Sequence, residues 1–155
     1  MNILENVFLH TIVMAMTPVV ELRGAIPYGL AMGLEPLECF IAAVIGNCIP
    51  VPFIILFIQH VFRLMRKLSP KFGAIVDKLE RRADEKSDVV EKYALWGLVI
   101  LVAIPLPGTG AWTGSLVAAL MNIPLRKSGP ACVLGVLIAG VVVMAISTGV
   151  IAIVT

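Results

Sequence analysis

The sequence predicts an all-α integral membrane protein, and three observations predict this class. The 155 residues are 59% hydrophobic and only 14% charged, with a mean hydropathy of +1.01, whereas in soluble domains about a quarter of the residues are charged. Long apolar stretches are separated by short polar turns, and most charges are confined to one central segment. We therefore expect a single membrane domain over residues 1–155, with a first repeat at 1–65, a charged amphipathic linker at 66–92 and a second repeat at 93–155.

The first apolar stretch, Phe8–Leu34, is interrupted in its middle by the segment Thr17–Pro27. Three helix-breaking residues fall there, Pro18, Gly24 and Pro27. Each apolar limb holds about nine residues, or roughly 14 Å of helix, which is about half of a ~30 Å hydrocarbon core. An element of this kind enters the membrane half-way, breaks and returns, so we predict a re-entrant helical hairpin.

A second stretch of the same kind covers Leu95–Met121, and its break lies at Ile104–Gly114. The breaking residues there are Pro105, Pro107, Gly108 and Gly110. Unwound backbone at membrane depth requires hydrogen-bonding partners or a cavity. We therefore predict a second re-entrant hairpin whose break supplies backbone and hydroxyl groups rather than charge.

Each predicted hairpin is followed by a helix long enough to cross the membrane, at Cys39–Leu64 and at Gly129–Val154. A shift of 88 residues places Pro36-Leu37 on Pro124-Leu125. Because each half would then cross the membrane once, an odd number, the second half is expected to be inverted relative to the first.

The distribution of charge predicts the topology. With two re-entrant hairpins, the linker and the turn at Arg126-Lys127 share one side of the membrane, and eleven of the twelve Lys and Arg residues lie there. The positive-inside rule makes that side cytoplasmic. We expect a multi-pass protein of the inner (plasma) membrane with both termini outside; hairpins that span fully are the alternative, and they would place Arg126 and Lys127 opposite the linker.

Glu21 and Arg23 are the principal candidate site residues, because ionisable groups at membrane depth are costly and usually functional. A carboxyl in an apolar environment favours the protonated form, and a neighbouring guanidinium favours the carboxylate. Glu21 is therefore a candidate proton carrier, and Arg23 a candidate bidentate ligand for an anionic substrate group. The structural alternative is a buried salt bridge that only holds the hairpin tip.

Four uncharged polar residues complete the candidate substrate and proton site: Thr17, Asn47, Thr109 and Thr113. The simpler interpretation of the two threonines in the second break is helix capping, and Asn47 is expected to hydrogen-bond to a break.

Several classes of function are not indicated. The three cysteines form no CxxC pair, so no metal site or redox pair is predicted. No Ser/His/Asp or metal constellation is present, and we expect neither an enzyme nor a cofactor. Acidic residues interleave with the basic ones in the linker, which argues against binding to nucleic acid.

The segments Glu21–Pro27 and Pro105–Gly114 resemble the two signatures of the small multi-drug export protein family, which is similar in plan to the DedA/VTT membrane proteins. The resemblance covers nearly the whole chain. It implies two inward-facing re-entrant hairpins from an inverted repeat, and a transport role. DedA-like proteins are associated with proton-dependent movement of lipid carriers such as undecaprenyl phosphate.

Three functions remain open at this point. The first is a small secondary transporter, proton-coupled, that exports small amphiphilic or anionic substrates through a site between the hairpins. The second is a DedA-like lipid flippase or scramblase, and the third is a non-transporting membrane scaffold. The expected partners are membrane lipid, the substrate, protons and a second copy of the chain, because two spans alone leave little protein to bury the breaks.

Overall fold

The computed structural model describes residues 3–68, residue 74, and residues 88–106 and 109–154. These residues are almost entirely helical and contain no strand, as the sequence predicts. The helices are α1 (Ile3–Met16), α2 (Glu21–Ala31), α3 (Pro36–Cys48), α4 (Pro50–Leu68), α5 (Asp88–Ala103), α6 (Ala111–Leu120) and α7 (Leu125–Val154).

Two helices are long and apolar enough to cross a membrane by length and composition, Pro36–Val61 with a mean hydropathy of 2.4 and Leu125–Val150 with 2.5. The first of these comprises α3 and most of α4, which meet with only Ile49 between them. The second begins four residues before the predicted start at Gly129, and Pro130 lies inside it.

The helices that follow the breaks, α2 and α6, are shorter. At 1.5 Å per residue, α2 is about 16 Å long and α6 about 15 Å, roughly half of a hydrocarbon core. The break between α1 and α2 occupies residues 17–20 and contains Pro18. The prediction that Gly24 and Pro27 also belong to this break is wrong, because both lie within α2, which begins at Glu21.

The second break lies between α5 and α6 and includes Pro105 and Gly110. Pro107 and Gly108, which were predicted as breaking residues, lie outside the described residues. Most of the predicted amphipathic linker also lies outside them, apart from residues 66–68 at the end of α4, residue 74, and residues 88–92, which form the start of α5.

The two halves correspond to each other at an interval of 89 residues. The buried residues of α2 and α6 follow this interval. Leu22, Ala25, Ile26 and Gly29 correspond, in that order, to Ala111, Gly114, Ser115 and Ala118. The interval differs by one from the shift of 88 in the sequence pattern, which was read from the prolines at the start of α3 and α7.

The turns that end α2 and α6 have the same hydrogen bonds at the same interval. Leu34 donates its backbone N–H to the carbonyl of Gly29 at 3.0 Å, and Ile123 donates to that of Ala118 at 2.9 Å. This six-residue closure is a Schellman motif, which requires a residue with positive φ just before the donor. Gly33 (φ 89°) and Asn122 (φ 54°) fill that position.

Close helix packing also repeats. A Cβ at Gly46 would lie 2.8 Å from the Cβ of Ala15, and one at Gly135 would lie 2.6 Å from that of Val102. Glycine therefore allows α3 to approach α1, and α7 to approach α5, at corresponding positions.

The return helix of each half, by which we mean the second helix of its hairpin (α2 or α6), packs against the spanning helix of the other half. Helix α2 contacts α7, and α6 contacts α4. These crossed contacts bring the start of α2 beside the start of α6, and the candidate site lies there.

Candidate functional site

Glu21 and Arg23 lie at the start of α2 and form an ion pair. Nη1 of Arg23 lies 3.2 Å from Oε2 of Glu21. The carboxylate side chain is only 5% exposed and the arginine side chain 20%. Burial of a charge on this scale is tolerated when it is paired and hydrogen-bonded, so the remaining partners of the two groups define the site.

The Glu21 carboxylate lies at the N-terminus of α6, in the other half of the protein. The backbone N–H of Trp112 donates to Oε1 of Glu21 at 3.3 Å. Gly110 precedes the helix and has no side chain with which to cap it. Glu21 therefore supplies the acceptor that an N-cap side chain normally provides, and the positive end of the helix dipole favours its negative charge.

Gly110 is required for this contact. A Cβ at that position would lie 2.8 Å from the carboxyl carbon Cδ of Glu21. The residue also has φ of 144°, in the region that favours glycine. The carboxylate thus rests directly on the backbone that leads into α6.

Arg23 also connects the two halves, because it donates hydrogen bonds from the first half to the second break. Its Nη2 donates to the carbonyl oxygen of Ile104 at 3.0 Å and to Oγ1 of Thr109 at 3.2 Å. The Thr109 hydroxyl lies 2.8 Å from the carbonyl oxygen of Ile104, to which it can donate while it accepts from Arg23. Arg23 therefore stabilises the backbone carbonyl that the second break leaves without a helical partner.

Trp112 makes the reciprocal contact. Its indole Nε1 donates to the carbonyl oxygen of Met16, the last residue of α1, at 3.0 Å. Trp112 follows Arg23 by 89 residues, and the two acceptors lie in similar places, since Met16 is the last residue of α1 and Ile104 is the first residue after α5. Near the start of its return helix, each half thus donates a side-chain hydrogen bond to a carbonyl at the end of the first helix of the opposite hairpin. Reciprocal contacts of this kind are what an approximate two-fold axis between two units produces.

A cavity of about 530 Å³ opens beside the ion pair. It is lined by residues from both breaks: Pro18, Val19, Val20, Glu21, Arg23, Gly24, Pro105, Thr109 and Thr113. Val19, at 91% exposure, lies at the opening. The cavity therefore combines apolar walls with one charged pair and two hydroxyl-bearing side chains, which is the usual composition of a small-molecule site.

The backbone of Glu21 is unusual. Its φ is 49°, in the left-handed region that residues other than glycine rarely adopt. The backbone N–H of Glu21 donates to the carbonyl of Thr17 at 3.1 Å, which closes the tight turn before α2. This conformation directs the side chain towards α6, and strain of this kind is commonly retained at functional positions.

Two predicted site residues do not line the cavity. The Thr17 hydroxyl donates to the carbonyl of Met14 at 2.7 Å and caps the end of α1. Asn47 is buried at 1% exposure and is not among the residues that line the cavity, and its Oδ1 has no hydrogen-bond partner among the described residues. A hydrogen bond between Asn47 and a break stays a prediction, whereas Glu21, Arg23, Thr109 and Thr113 all line the cavity.

Sequence reasoning missed the part played by Trp112. It supplies the indole N–H to Met16 and the backbone N–H to Glu21. The signal that the sequence does contain is the position of Trp112 two residues after Gly110, which has no side chain to cap the helix that follows. Where residues are described, no group of three or more His, Cys, Asp or Glu side chains could hold a metal ion.

Comparison with known proteins gives one result. The family model described as "Putative small multi-drug export protein" matches residues 21–142, which begin at Glu21, the first residue of α2, and include the second break, the α6 helix and most of α7. No curated protein and no solved structure gives a significant match.

Proposed function

Because the chain belongs to this small multi-drug export family, we propose that it is a proton-coupled secondary transporter of small amphiphiles, with its site in the cavity between the two hairpin tips. The observation that carries the proposal is the Glu21–Arg23 pair, which lies in that cavity and bonds to both halves of the protein. A pair that only held one hairpin tip together would need neither a cavity nor partners in the other half.

Glu21 is the proton carrier in this proposal. Protonation removes the charge that Arg23 and the N-terminus of α6 stabilise, and so weakens the contact between the two tips. Loss of this contact frees the hairpins to move relative to each other. Proton binding and a change of access are then one event, as transport by alternating access requires.

The approximate two-fold relation supports an inverted arrangement of the halves in the membrane. The half-depth helices and the crossed contacts of α2 with α7 and of α6 with α4 fit two re-entrant hairpins that meet near the bilayer centre. In this arrangement the linker is cytoplasmic and both termini are outside, in the inner membrane. The chain carries no enzymatic activity in this proposal.

We also propose a homodimer. One face of α7 presents large apolar side chains, among them Leu134 at 41% exposure, Ile138 at 42% and Val141 at 60%. A second copy would cover part of this surface and support the short hairpins. Native mass measurement in lipid nanodiscs should give twice the mass of the chain, and a monomer that transports would contradict this proposal.

The proposal that the cavity is the transport site is tested by blocking its opening. In proteoliposomes with an imposed pH gradient, we expect accumulation of one of two dansyl-labelled amphiphiles, one anionic and one cationic. Val19→Cys, modified with a bulky maleimide at the opening, should lose this accumulation. Val150→Cys, on the outer face of α7, and the unsubstituted protein treated with the same reagent should retain it. Accumulation that survives modification at position 19 would place the site elsewhere.

A further inference from the structure

We propose, resting on the function proposed above, that the cavity binds the anionic headgroup of an amphiphile, and that this group takes the place of the Glu21 carboxylate when Glu21 is protonated. The class of headgroup is an oxyanion: a sulfonate, a phosphate or a carboxylate. The proposal assigns both the charge of the substrate and the sign of its coupling to the proton.

The first argument is the set of groups around Glu21. Its carboxylate accepts from the Arg23 guanidinium and from the backbone N–H of Trp112 at the start of α6, and it packs on Gly110, which leaves room for oxygen atoms. Cationic and N–H donors on a small-residue backbone form a site for any oxyanion. These donors form an anion-binding site, and the protein's own Glu21 carboxylate occupies it.

The second argument is the space and the donors beside it. The cavity of about 530 Å³ adjoins the carboxylate, so an incoming anion reaches Arg23 without a rearrangement of the helices. Nε of Arg23 is buried and has no hydrogen-bond partner within the described part of the chain. The Thr109 and Thr113 side chains line the same space. The apolar wall of Pro18, Val19 and Val20 suits the tail of an amphiphile.

A cationic substrate fits this site poorly. The only ionisable side chains that line the cavity, among those described, are Glu21 and Arg23. The helices that pack against α2, which are α1, α3 and α7, add none to the lining. A cation that approached Glu21 would meet the Arg23 guanidinium and the positive end of the α6 dipole, both of which repel it.

The coupling follows from competition for the same donors. With Glu21 ionised, its carboxylate occupies Arg23 and the N–H of Trp112, and an incoming anion also meets its negative charge. Protonation removes the charge and releases the donors. The anion therefore binds more tightly as the pH falls, and the proton and the anion bind together rather than exclude each other.

The test measures binding without a gradient. Trp96 and Trp112 are the two tryptophans of the chain, so Trp96→Phe leaves one reporter at the site. The full chain in nanodiscs of neutral lipid is titrated with octanesulfonate, whose charge is constant across the pH range, and with octyltrimethylammonium, octyl glucoside and inorganic sulfate. We expect octanesulfonate to change the Trp112 fluorescence and to bind more tightly at about pH 5 than at about pH 8.

Variants in the same background sharpen the result. Glu21→Gln removes the competing charge and should bind octanesulfonate about tenfold more tightly at high pH, a difference of about 1.4 kcal/mol. Its binding should no longer depend on pH. Arg23→Lys should weaken binding, because the lysine ammonium lacks the bidentate geometry. Glu38→Gln and Arg126→Lys, both exposed and outside the cavity, should behave as the parent does.

Three results would overturn the proposal. Saturable binding of octyltrimethylammonium that Glu21→Gln abolishes would make this a cation site. Octanesulfonate binding that is independent of pH in the parent protein would remove the coupling, even if Glu21→Gln did not fold. Inorganic sulfate that binds as tightly as octanesulfonate would show a site for a free anion and not for an amphiphile.

Failure of this proposal and failure of the transport proposal are distinguishable. Sulfonate binding without accumulation in proteoliposomes would leave the anion site in place and refute transport. Accumulation of the cationic dansyl probe alone would retain transport and refute the anion site.

Discussion

Glu21 and Gly110 occupy corresponding positions in the two halves of the chain, 89 residues apart, and they contact each other. Each immediately precedes the first buried apolar residue of its helix, and each has positive φ. In any two-fold arrangement of two units, residues that contact their own counterparts lie close to the axis. One of the pair carries the buried carboxylate and the other lacks a side chain, so the carboxylate of one half fills the space that the other half leaves open.

Substitution of Gly110 tests this contact. Gly110→Ala places a Cβ against the carboxyl group and holds a non-glycine residue at φ of 144°. We expect the free energy of unfolding to fall by about 1–3 kcal/mol, together with loss of transport. Gly97→Ala is the matched control, since a Cβ there meets nothing within 4 Å in the described structure. Thermal unfolding in detergent should separate the two variants, and equal stability would show that Glu21 does not rest on Gly110.

The reciprocal bond from Trp112 gives a second prediction. Trp112→Phe keeps the aromatic ring and removes the N–H that donates to Met16. The cost should be about 1 kcal/mol, the net contribution of a typical hydrogen bond. Trp96→Phe, at a side chain that is 54% exposed, should leave the unfolding temperature unchanged. If the two variants unfold at the same temperature, the indole bond contributes nothing to the contact between the hairpins.

Much of this architecture is predictable from the sequence, for a physical reason. The prolines at 18 and 105 remove backbone donors, and two charges two residues apart are costly in an apolar segment, so residue type alone indicates the breaks and the charged pair. The extent of the first break is not indicated in this way. Gly24 and Pro27 weaken a helix in isolation, but the packing of Leu22, Ala25 and Ile26 against the core retains them within α2.

The partners of the ion pair could not be predicted from the sequence. Hydrogen bonds from Arg23 to Ile104 and from Trp112 to Met16 join residues 81 and 96 positions apart. Their acceptors are backbone carbonyls, which every residue has, so the identity of a residue does not indicate that it is an acceptor. The correspondence of the two halves at an interval of 89 residues could not be predicted from the sequence either. The corresponding residues share burial and positive φ, and few of them are identical. Asn47 was placed in the site by its polarity alone, and its burial elsewhere reflects packing that polarity does not predict.

The inverted arrangement predicts where two positions lie relative to the membrane. Lys67→Cys, near the end of α4, and Lys127→Cys, at the start of α7, should both react with an impermeant maleimide only from the cytoplasmic side. Glu35→Cys, before α3, should react only from outside. The unsubstituted protein controls for its own cysteines, of which Cys39 and Cys132 are buried. Labelling of position 127 from the outside would require hairpins that span the membrane fully.

The central claim is that Glu21 couples the proton to transport, and its most direct test is pH-gradient-driven transport by Glu21→Gln. The variant keeps the shape of the side chain and cannot titrate. The assay uses proteoliposomes and whichever dansyl amphiphile the parent accumulates. We predict that accumulation by Glu21→Gln no longer responds to the pH gradient, while its unfolding temperature stays close to that of the parent. The control Glu38→Gln, at an exposed carboxylate, should retain the response. If Glu21→Gln and Arg23→Lys both keep gradient-driven transport and only lower the unfolding temperature, the pair is structural and the account is contradicted.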